Sequence, residues 1–339
     1  MVNSASPTLE DVALTAGVST ATISRCINEP HKVAAKTRER IEESIKQLGY
    51  TPNFGGRALA SKRTNTIGAV IPTMANALFA NGLQAFQETL SKAGNTLLVA
   101  SAGYDTANEL DQIRTLIARG ADGLLLIGAT RPEATVDFLN LRRIPYVISW
   151  QYKRDSSRLF AGFDNSKAAE QMTLEVLRIG HKRLAVISGQ TEGNDRASSR
   201  IEGVKRAITT ANSEAALSVI IETDYTLAAG GDAFERLISA TPPPTAIICG
   251  NDVLAAGAIV RAQQLGVRVP DDISITGFDD INLATVVRPA LTTMRVPQKQ
   301  MGCAAATLLL AKINGEQNLH SIEFEADLIR RESLAPPVQ

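Results

Sequence analysis

TLEDVALTAGVSTATISRCIN (8–28) reads as two short helices joined by a tight turn. Leu9, Val12, Ala13 and Ala16 fall at helical spacing behind Thr8, whose hydroxyl is suited to cap a helix start. GVS (17–19) breaks the pattern, and Ser19 is placed to cap a second helix with Ile23 and Ile27 on its inner face. NEP (28–30) ends that helix. A third helix is expected from about Val33, with Ile41, Ile45 and Leu48 inward and Gly49 at its stop. Three such helices, the first two meeting at a glycine-containing turn, make a helix-turn-helix pattern. Thr20, Ala21, Ser24 and Arg25 then face away from Ile23 and Ile27, on the side that enters a major groove. Arg25 can fork onto a guanine edge and Ala21 can meet a thymine methyl, while Ser19 and Thr22 are better placed for phosphates. Thr8 and Asn28, at the two ends of the motif, complete the expected DNA-contacting set. The competing reading is a plain three-helix bundle with Arg25 as a solvated charge.

Beyond this head the texture changes. Residues 50–65 are polar and hold Pro52, Gly55 and Gly56, with Leu59 the one large apolar residue of their second half; they read as a linker with some helical content. From Ile67 onward, apolar runs alternate with amphipathic segments. The runs are IGAVIP (67–72), TLLVAS (96–101), GLLLIG (123–128), YVIS (146–149), LAVISG (184–189), SVIIE (218–222), AIICG (246–250) and ISITGF (273–278). Short apolar strands separated by helices imply βαβ units and a parallel sheet covered on both faces. Eight strands are many for one doubly wound sheet, so two lobes are expected, dividing near GFDN (162–165). The chain should cross back near 292–295 and again near Glu325, and the apolar helix over 302–313 is expected to pack on the second lobe.

Charge is unevenly spread along 339 residues whose net charge is zero. Residues 1–66 hold nine lysines and arginines against six acids, a local charge of +3 that is balanced by −3 in the remainder. A basic head on an acidic body directs attention to polyanions. Nothing matches GxGxxG after the first strand, GxxxxGK[ST] or GxSxG, and PTMAN (72–76) cannot wrap a pyrophosphate as a glycine-rich turn does, which disfavours a nucleotide-dependent enzyme. No catalytic constellation emerges, and no cofactor or metal is expected. Cys26, Cys249 and Cys303 are too few and scattered for a disulfide framework and are read as small core residues. MVNSASPTLEDV (1–12) lacks the pattern of an export signal, and no stretch of about 18 apolar residues occurs, so no membrane partner and a cytoplasmic location are expected.

Ligands of two-lobed α/β proteins sit past the C-terminal ends of the strands. The residues there are Thr73, Asn76 and Phe79 after the first strand, Asp164 at the crossover, Asp195, Arg196 and Arg200 after LAVISG, Asp224 and Tyr225 after SVIIE, Asn251 after AIICG, and Asp279 after ISITG. Carboxylates and amides that bind vicinal hydroxyls, an arginine that can fork onto a carboxylate and an aromatic ring for a sugar face suggest a sugar or sugar acid.

TLEDVALTAGVSTATISRCIN (8–28), VAAKTRERIEESIKQLGYTPN (33–53) and ALASKRTNTIGAVIP (58–72) together resemble the opening of a LacI/GalR-family transcriptional regulator. The resemblance continues through GHKR (180–183), RIEG (200–203), ND (251–252), VPDDIS (269–274) and GFDD (277–280), with a partial likeness to gluconate-type repressors at 72–79 and 162–165. It implies an α/β protein: a helix-turn-helix head (1–52), a hinge (53–66) and a two-lobed, doubly wound, periplasmic-binding-protein-like effector and dimerisation domain (67–339). The lobes would comprise about 67–163 with 293–325, and 164–292 with 326–339. It also implies that Leu59 wedges into an operator minor groove beside Asn53, Arg57 and Ala58, in a hinge of about nine residues, too short to be helical alone. Gly55 and Gly56 each weaken such a helix by about 1 kcal/mol relative to alanine. Arg200, Asn251 and Asp279 match the principal effector contacts, Tyr225 an aromatic stacking position, and Asn76 and Asp164 lesser ones; Phe79 and Arg196 join them by position. The implied protein is a repressor, a homodimer on a pseudopalindromic operator, whose DNA affinity answers to a sugar or sugar acid. The tail RRESLAPPVQ (330–339) shows no heptad, which favours a dimer over a tetramer. A sugar-binding protein of a transport system would use the same body but would not need the basic head.

Overall fold

The computed structural model describes residues 6–51, 63–75, 77–211 and 214–338. Leu59, Asn53, Arg57, Ala58 and Asn76 therefore lie outside the described residues, as does the side chain of Asn28. The chain divides into two compact units, 1–64 and 65–339.

In the first unit, α1 (Leu9–Ala16), α2 (Thr20–Asn28) and α3 (Ala35–Leu48) form, with a single 3-10 turn at Pro30–Lys32. Thr8 makes a reciprocal capping box: its Oγ1 accepts from the Asp11 amide at 3.3 Å, and its own amide donates to Asp11 Oδ2 at 2.8 Å. The turn depends on Gly17, whose φ of +60° is open to glycine at no steric cost. Ser19 Oγ then accepts from the Thr22 amide at 3.2 Å and starts α2. Val12, Ala13, Ala16, Ile23, Cys26, Ile41 and Tyr50 close a small core. The third helix begins at Ala35, two residues past the expected Val33, because Pro30 organises the preceding turn.

The second unit holds two parallel sheets. One contains β1 (Thr66–Ile71), β2 (Thr96–Ser101), β3 (Gly123–Ile127), β4 (Tyr146–Ser149), β5 (Phe160–Phe163) and β11 (Ile322–Phe324), in the order β11-β5-β4-β3-β1-β2. The other contains β6 (Arg183–Gly189), β7 (Ala216–Thr223), β8 (Ala246–Cys249) and β9 (Ser274–Thr276), in the order β7-β6-β8-β9. Helices α4 (Ala77–Lys92), α5 (Thr106–Ala118) and α6 (Glu133–Leu141) follow β1, β2 and β3. Helices α7 (Asn165–Arg178), α8 (Asp195–Thr210), α9 (Leu227–Ile238) and α10 (Asp252–Gln264) follow β5, β6, β7 and β8, and the short α11 (Leu283–Val286) follows β9. The interior strands β3 and β4 are buried at every position, whereas the edge strands β2 and β7 are partly open, as sheets covered on both faces require.

The lobes are joined where β5 runs into α7 and again by an antiparallel pair, β10 (Thr293–Arg295) with β12 (Asp327–Ile329). Asp280 ties this pair down by accepting from Arg295 Nε at 2.7 Å and from Arg331 at 2.6 Å. β5 was not expected from its four residues; its glycine and two phenylalanines carry no strand period of their own, and it is a strand because β4 and β11 flank it.

One expectation is overturned. The helix spanning 302–313, part of α12 (Gln298–Ile313), packs on the first lobe, against α4 and strands β3 to β5. The reason is a close backbone crossing. A Cβ at Gly302 would run into the Gly82 carbonyl, and a Cβ at Gly82 would lie 2.5 Å from the Trp150 ring. Cys26 and Cys249 are buried as expected, but Cys303 is exposed on α12. His181, in the turn after α7, is buried, with ring nitrogens 3.0 Å from Thr245 Oγ1 and 2.8 Å from the Ala335 carbonyl.

Gly302→Ala should therefore overpack the α4–α12 crossing and destabilise the protein by about 1–3 kcal/mol. A urea titration checks this: the midpoint should fall with the slope unchanged.

Candidate functional site

Two surfaces bear chemistry, one in each unit. In the first unit, Thr20, Ala21, Ser24 and Arg25 are exposed along α2, while Ile23 and Cys26 on the opposite side are buried. Ser19 Oγ and Thr22 Oγ1 lie 2.9 Å apart at the start of the helix. Thr8 sits at the start of α1 with its hydroxyl donating to Asp11 Oδ2 at 2.8 Å. Among the described residues the α2 face thus presents small polar groups, one methyl and one guanidinium, with the positive end of the helix dipole beside them.

In the second unit, the C-terminal ends of both sheets converge on a cleft. Phe79, Arg196, Arg200, Tyr225, Asn251 and Asp279 line one common cavity, together with Leu78, Tyr104 and Asn194. Arg200 is held hard: its Nε donates to Asn165 Oδ1 at 2.9 Å, its Nη1 donates to the Gly250 carbonyl, and its guanidinium carbon lies 3.8 Å from the centre of the Phe278 ring. Its Nη2 is 3.6 Å from Asp279 Oδ1, close enough for attraction but beyond hydrogen-bond reach. Asp279 is 2% exposed and has a φ of +111°, fixed by its amide donating to the Met294 carbonyl at 2.8 Å. Burial pushes its carboxyl up to about 7, outweighing Arg200. Asp252, buried behind it and bonded by Thr293 and the Ile281 amide, is also shifted well upward by burial and by Asp279.

Asn251 caps α10 by accepting from the Leu254 amide at 2.9 Å. Its capping role and its place in the cleft are compatible, because its Nδ2 remains without a partner. Buried atoms that lack a hydrogen bond also include Asp279 Oδ1, Trp150 Nε1 and Gln298 Oε1. Two donors and two acceptors left unpaired around the lobe junction are costly unless something meets them. Tyr225 accepts from Asn194 Nδ2 at 3.3 Å and packs 5.7 Å from Tyr104 of the other lobe, whose hydroxyl is pushed up by burial. Phe79 meets Trp150 edge-on at 5.5 Å. Arg196 is buried and donates to Asp195 Oδ1 at 3.0 Å, its one hydrogen bond among the described residues.

Asp164 sits apart from these residues. Its Oδ1 accepts from the Ser166 and Lys167 amides, capping α7, and it borders an outer groove of about 560 Å³ rather than the cleft. That groove is roomier than the cleft, but its charges already answer one another, Lys167 with Glu325 and both Arg178 and Arg330 with Glu175. The cleft cavity itself measures only about 10 Å³, against the roughly 300–1,000 Å³ of typical small-molecule sites. Admitting a ligand of ordinary small-molecule size therefore requires the lobes to part. Tyr104, Asn194 and Trp150 were missed. Tyr104 and Trp150 follow β2 and β4, so the strand-end rule that found Tyr225 would have found them had it been applied to every strand. Among the described residues no cluster of His, Cys, Asp or Glu can hold a metal, and no helix is long and apolar enough to cross a membrane.

A helix-turn-helix unit ahead of a two-lobed α/β unit with a polar cleft defines a DNA-binding transcriptional regulator with a ligand-sensing body. Residues 8–53 match the bacterial regulatory proteins of the lacI family, and residues 175–334 match a periplasmic binding protein-like domain. The chain is 33% identical to catabolite control protein A of Priestia megaterium over 94% of its own length and 98% of that protein's. It is 32% identical to the transcriptional repressor CytR of Escherichia coli K12, over 91% and 90%. The solved complex of the transcriptional regulator CelR with cellobiose superposes with a TM-score of 0.71 at 28% identity, covering 96% of this chain and 99% of that one. The chain belongs to the lacI family of bacterial regulatory proteins.

The Asp279 carboxyl gives a pH test. Unfolded, it ionises near its ordinary 3.8; folded, near 7. Between those values the folded chain keeps a proton that the unfolded chain has released, so this group lowers stability as pH rises through the window. Asp279→Asn should thus gain stability relative to the parent between pH 5 and pH 7, by on the order of 1–3 kcal/mol. Equal urea midpoint differences at the two pH values would contradict the shifted carboxyl.

Proposed function

We propose that this protein is a repressor whose operator affinity is set by a small sugar or sugar acid held between the lobes. Two heads of a homodimer would read a pseudopalindromic operator through Thr20, Ala21, Ser24 and Arg25, with Thr8, Ser19, Thr22 and Asn28 nearer the phosphates. Asn53, Arg57, Ala58 and Leu59 would form the hinge that sets on bent DNA. The observation that carries the reading is the pairing of two features in one chain: an exposed α2 face of recognition type, and a cleft with unpaired buried donors and acceptors. The similarity to a regulator solved with cellobiose supports a carbohydrate ligand.

Within the cleft the residues divide by chemistry. Asn251 Nδ2 and Asp279 Oδ1 offer one donor and one acceptor for a pair of hydroxyls, and Tyr225 offers a face for a sugar ring. Arg200 holds the floor together, since three of its contacts go to protein groups. A carboxylate on the ligand would instead be met by Arg196, whose Nε and Nη2 make no hydrogen bond among the described residues. Asn76, outside the described residues, is proposed as a lesser contact. Ligand binding would shift the balance between lobe arrangements, and coupling to DNA of about 1–3 kcal/mol is typical of such switches.

A thermal-shift screen of neutral sugars and sugar acids tests the cleft, because a ligand stabilises only the state it binds. Arg200→Ala should lose the ligand response while operator affinity in a gel assay is kept; a normal response would contradict the assignment. For the head, Arg25→Ala should weaken operator binding by about 1–3 kcal/mol and relax one base position. Unchanged base preference in a binding-site selection would rule out Arg25 as a reader.

A further inference from the structure

The loop that follows β3 is built to present two amides. Arg131, whose side chain is 1% exposed, donates to the Gly128 carbonyl at 2.6 Å and the Ile127 carbonyl at 3.2 Å, and is itself paired with Glu109 at 3.1 Å. Arg158 donates to the Ala129 carbonyl at 2.9 Å. With the carbonyls of Ile127, Gly128 and Ala129 held by guanidinium groups of their own lobe, the loop is fixed so that the amides of Ala129 and Thr130 reach across the cleft. There Asp195, the first residue of α8 in the second lobe, accepts from Ala129 N at 2.7 Å and from Thr130 N at 3.3 Å through Oδ2. Its other oxygen accepts from Arg196. The fit is tight: Gly128 has a φ of +77°, and a Cβ there would collide with Asp195 Oδ1 and Arg196 Nη1.

We propose that Asp195 is an interlobe clasp, a positioning residue that shuts the cleft through the 129–130 amides and so sets the closed–open balance against which any effector works. Hydrogen bonds to an ionised acceptor are stronger than neutral ones, and here the acceptor is removed from water with its donors pre-aimed by two buried or half-buried arginines. Elsewhere the lobes touch across this opening through the Tyr104–Tyr225 pair and, near the crossover, through Gln151 Nε2 donating to Ser199 Oγ at 3.1 Å. Of these contacts, only the clasp brings a formal charge onto the opposite lobe. The inference deepens the two-lobe effector reading, but its test uses neither effector nor DNA, so either can fail alone.

The experiment is amide hydrogen exchange on the full chain without added ligand, comparing the parent with Asp195→Ala, Asp195→Asn and Gly128→Ala. Asp195→Ala should raise exchange at least tenfold in peptides spanning 128–131 and also in those spanning 190–198 and 222–226, with the β3 and β8 cores unchanged. Asp195→Asn, which keeps an acceptor, should fall between. Gly128→Ala, which leaves the carboxylate in place but drives it off sterically, should reproduce the Asp195→Ala pattern, and the double variant should add little. If exchange rises only at 129–130, Asp195 is a local loop cap and the clasp is wrong. A uniform rise through the β-strand cores in both Asp195→Ala and Gly128→Ala would likewise overturn it, as a general loss of stability.

Discussion

The guanidinium of Arg200 is the point on which the sensing unit turns. It reaches from α8 to Asn165 at the first crossing, to the end of β8 at Gly250, and toward Asp279 past the end of β9, while lying on the Phe278 ring. A buried charge of this kind is tolerable only when its donors are met, and removing a partner leaves it uncompensated. Its partners come from three separate stretches of the chain, around 165, 250 and 278–279, so the cleft floor is set as one piece. Asp279 is then held with a positive φ and a partly unsatisfied carboxyl, a conformation costing on the order of 1–3 kcal/mol that surrounding structure must impose. Unpaired polarity and strain therefore sit together at the place where a ligand would be read.

The second constraint is the triple connection between lobes. Asp280, next to the strained Asp279, grips Arg295 and Arg331 on the two returning segments. A shift of the β10–β12 pair is thereby coupled, through one backbone link, to the cleft floor. The first lobe carries the close α4–α12 crossing at Gly82 and Gly302, which leaves no room for a Cβ. In the proposed switch, the lobes move about the junction that Asp280 ties together.

Much of this was legible in the sequence because the signals were local. Thr8, Gly17, Ser19 and Gly49 mark helix ends by backbone chemistry that depends on neighbours three or four residues away. Strand runs such as GLLLIG read correctly because both faces of their sheet are covered. The cleft residues Arg200, Asn251 and Asp279 were found by their place after strands, a rule that topology enforces. The local signal runs out where the outcome depends on distant partners. Asp164 also follows a strand, yet its carboxylate turns back to cap α7. The 302–313 helix shows apolar residues around much of its circumference, so its periodicity could not say which lobe it would cover; two glycines far apart in sequence decided it. Asp195 pairs with its neighbour Arg196, but its bonds to 129–130 span 66 and 65 residues and leave no local trace in the sequence.

The central claim is that the chain discriminates between DNA sequences under the control of its cleft. Fluorescence anisotropy of the full-length protein against a duplex from its own promoter region and a scrambled duplex of equal length, at moderate ionic strength, tests it most directly. The account predicts a preference of at least a thousandfold for the promoter duplex, one that a ligand found by thermal shift alters. Equal affinities for the two duplexes, with and without such a ligand, would contradict it.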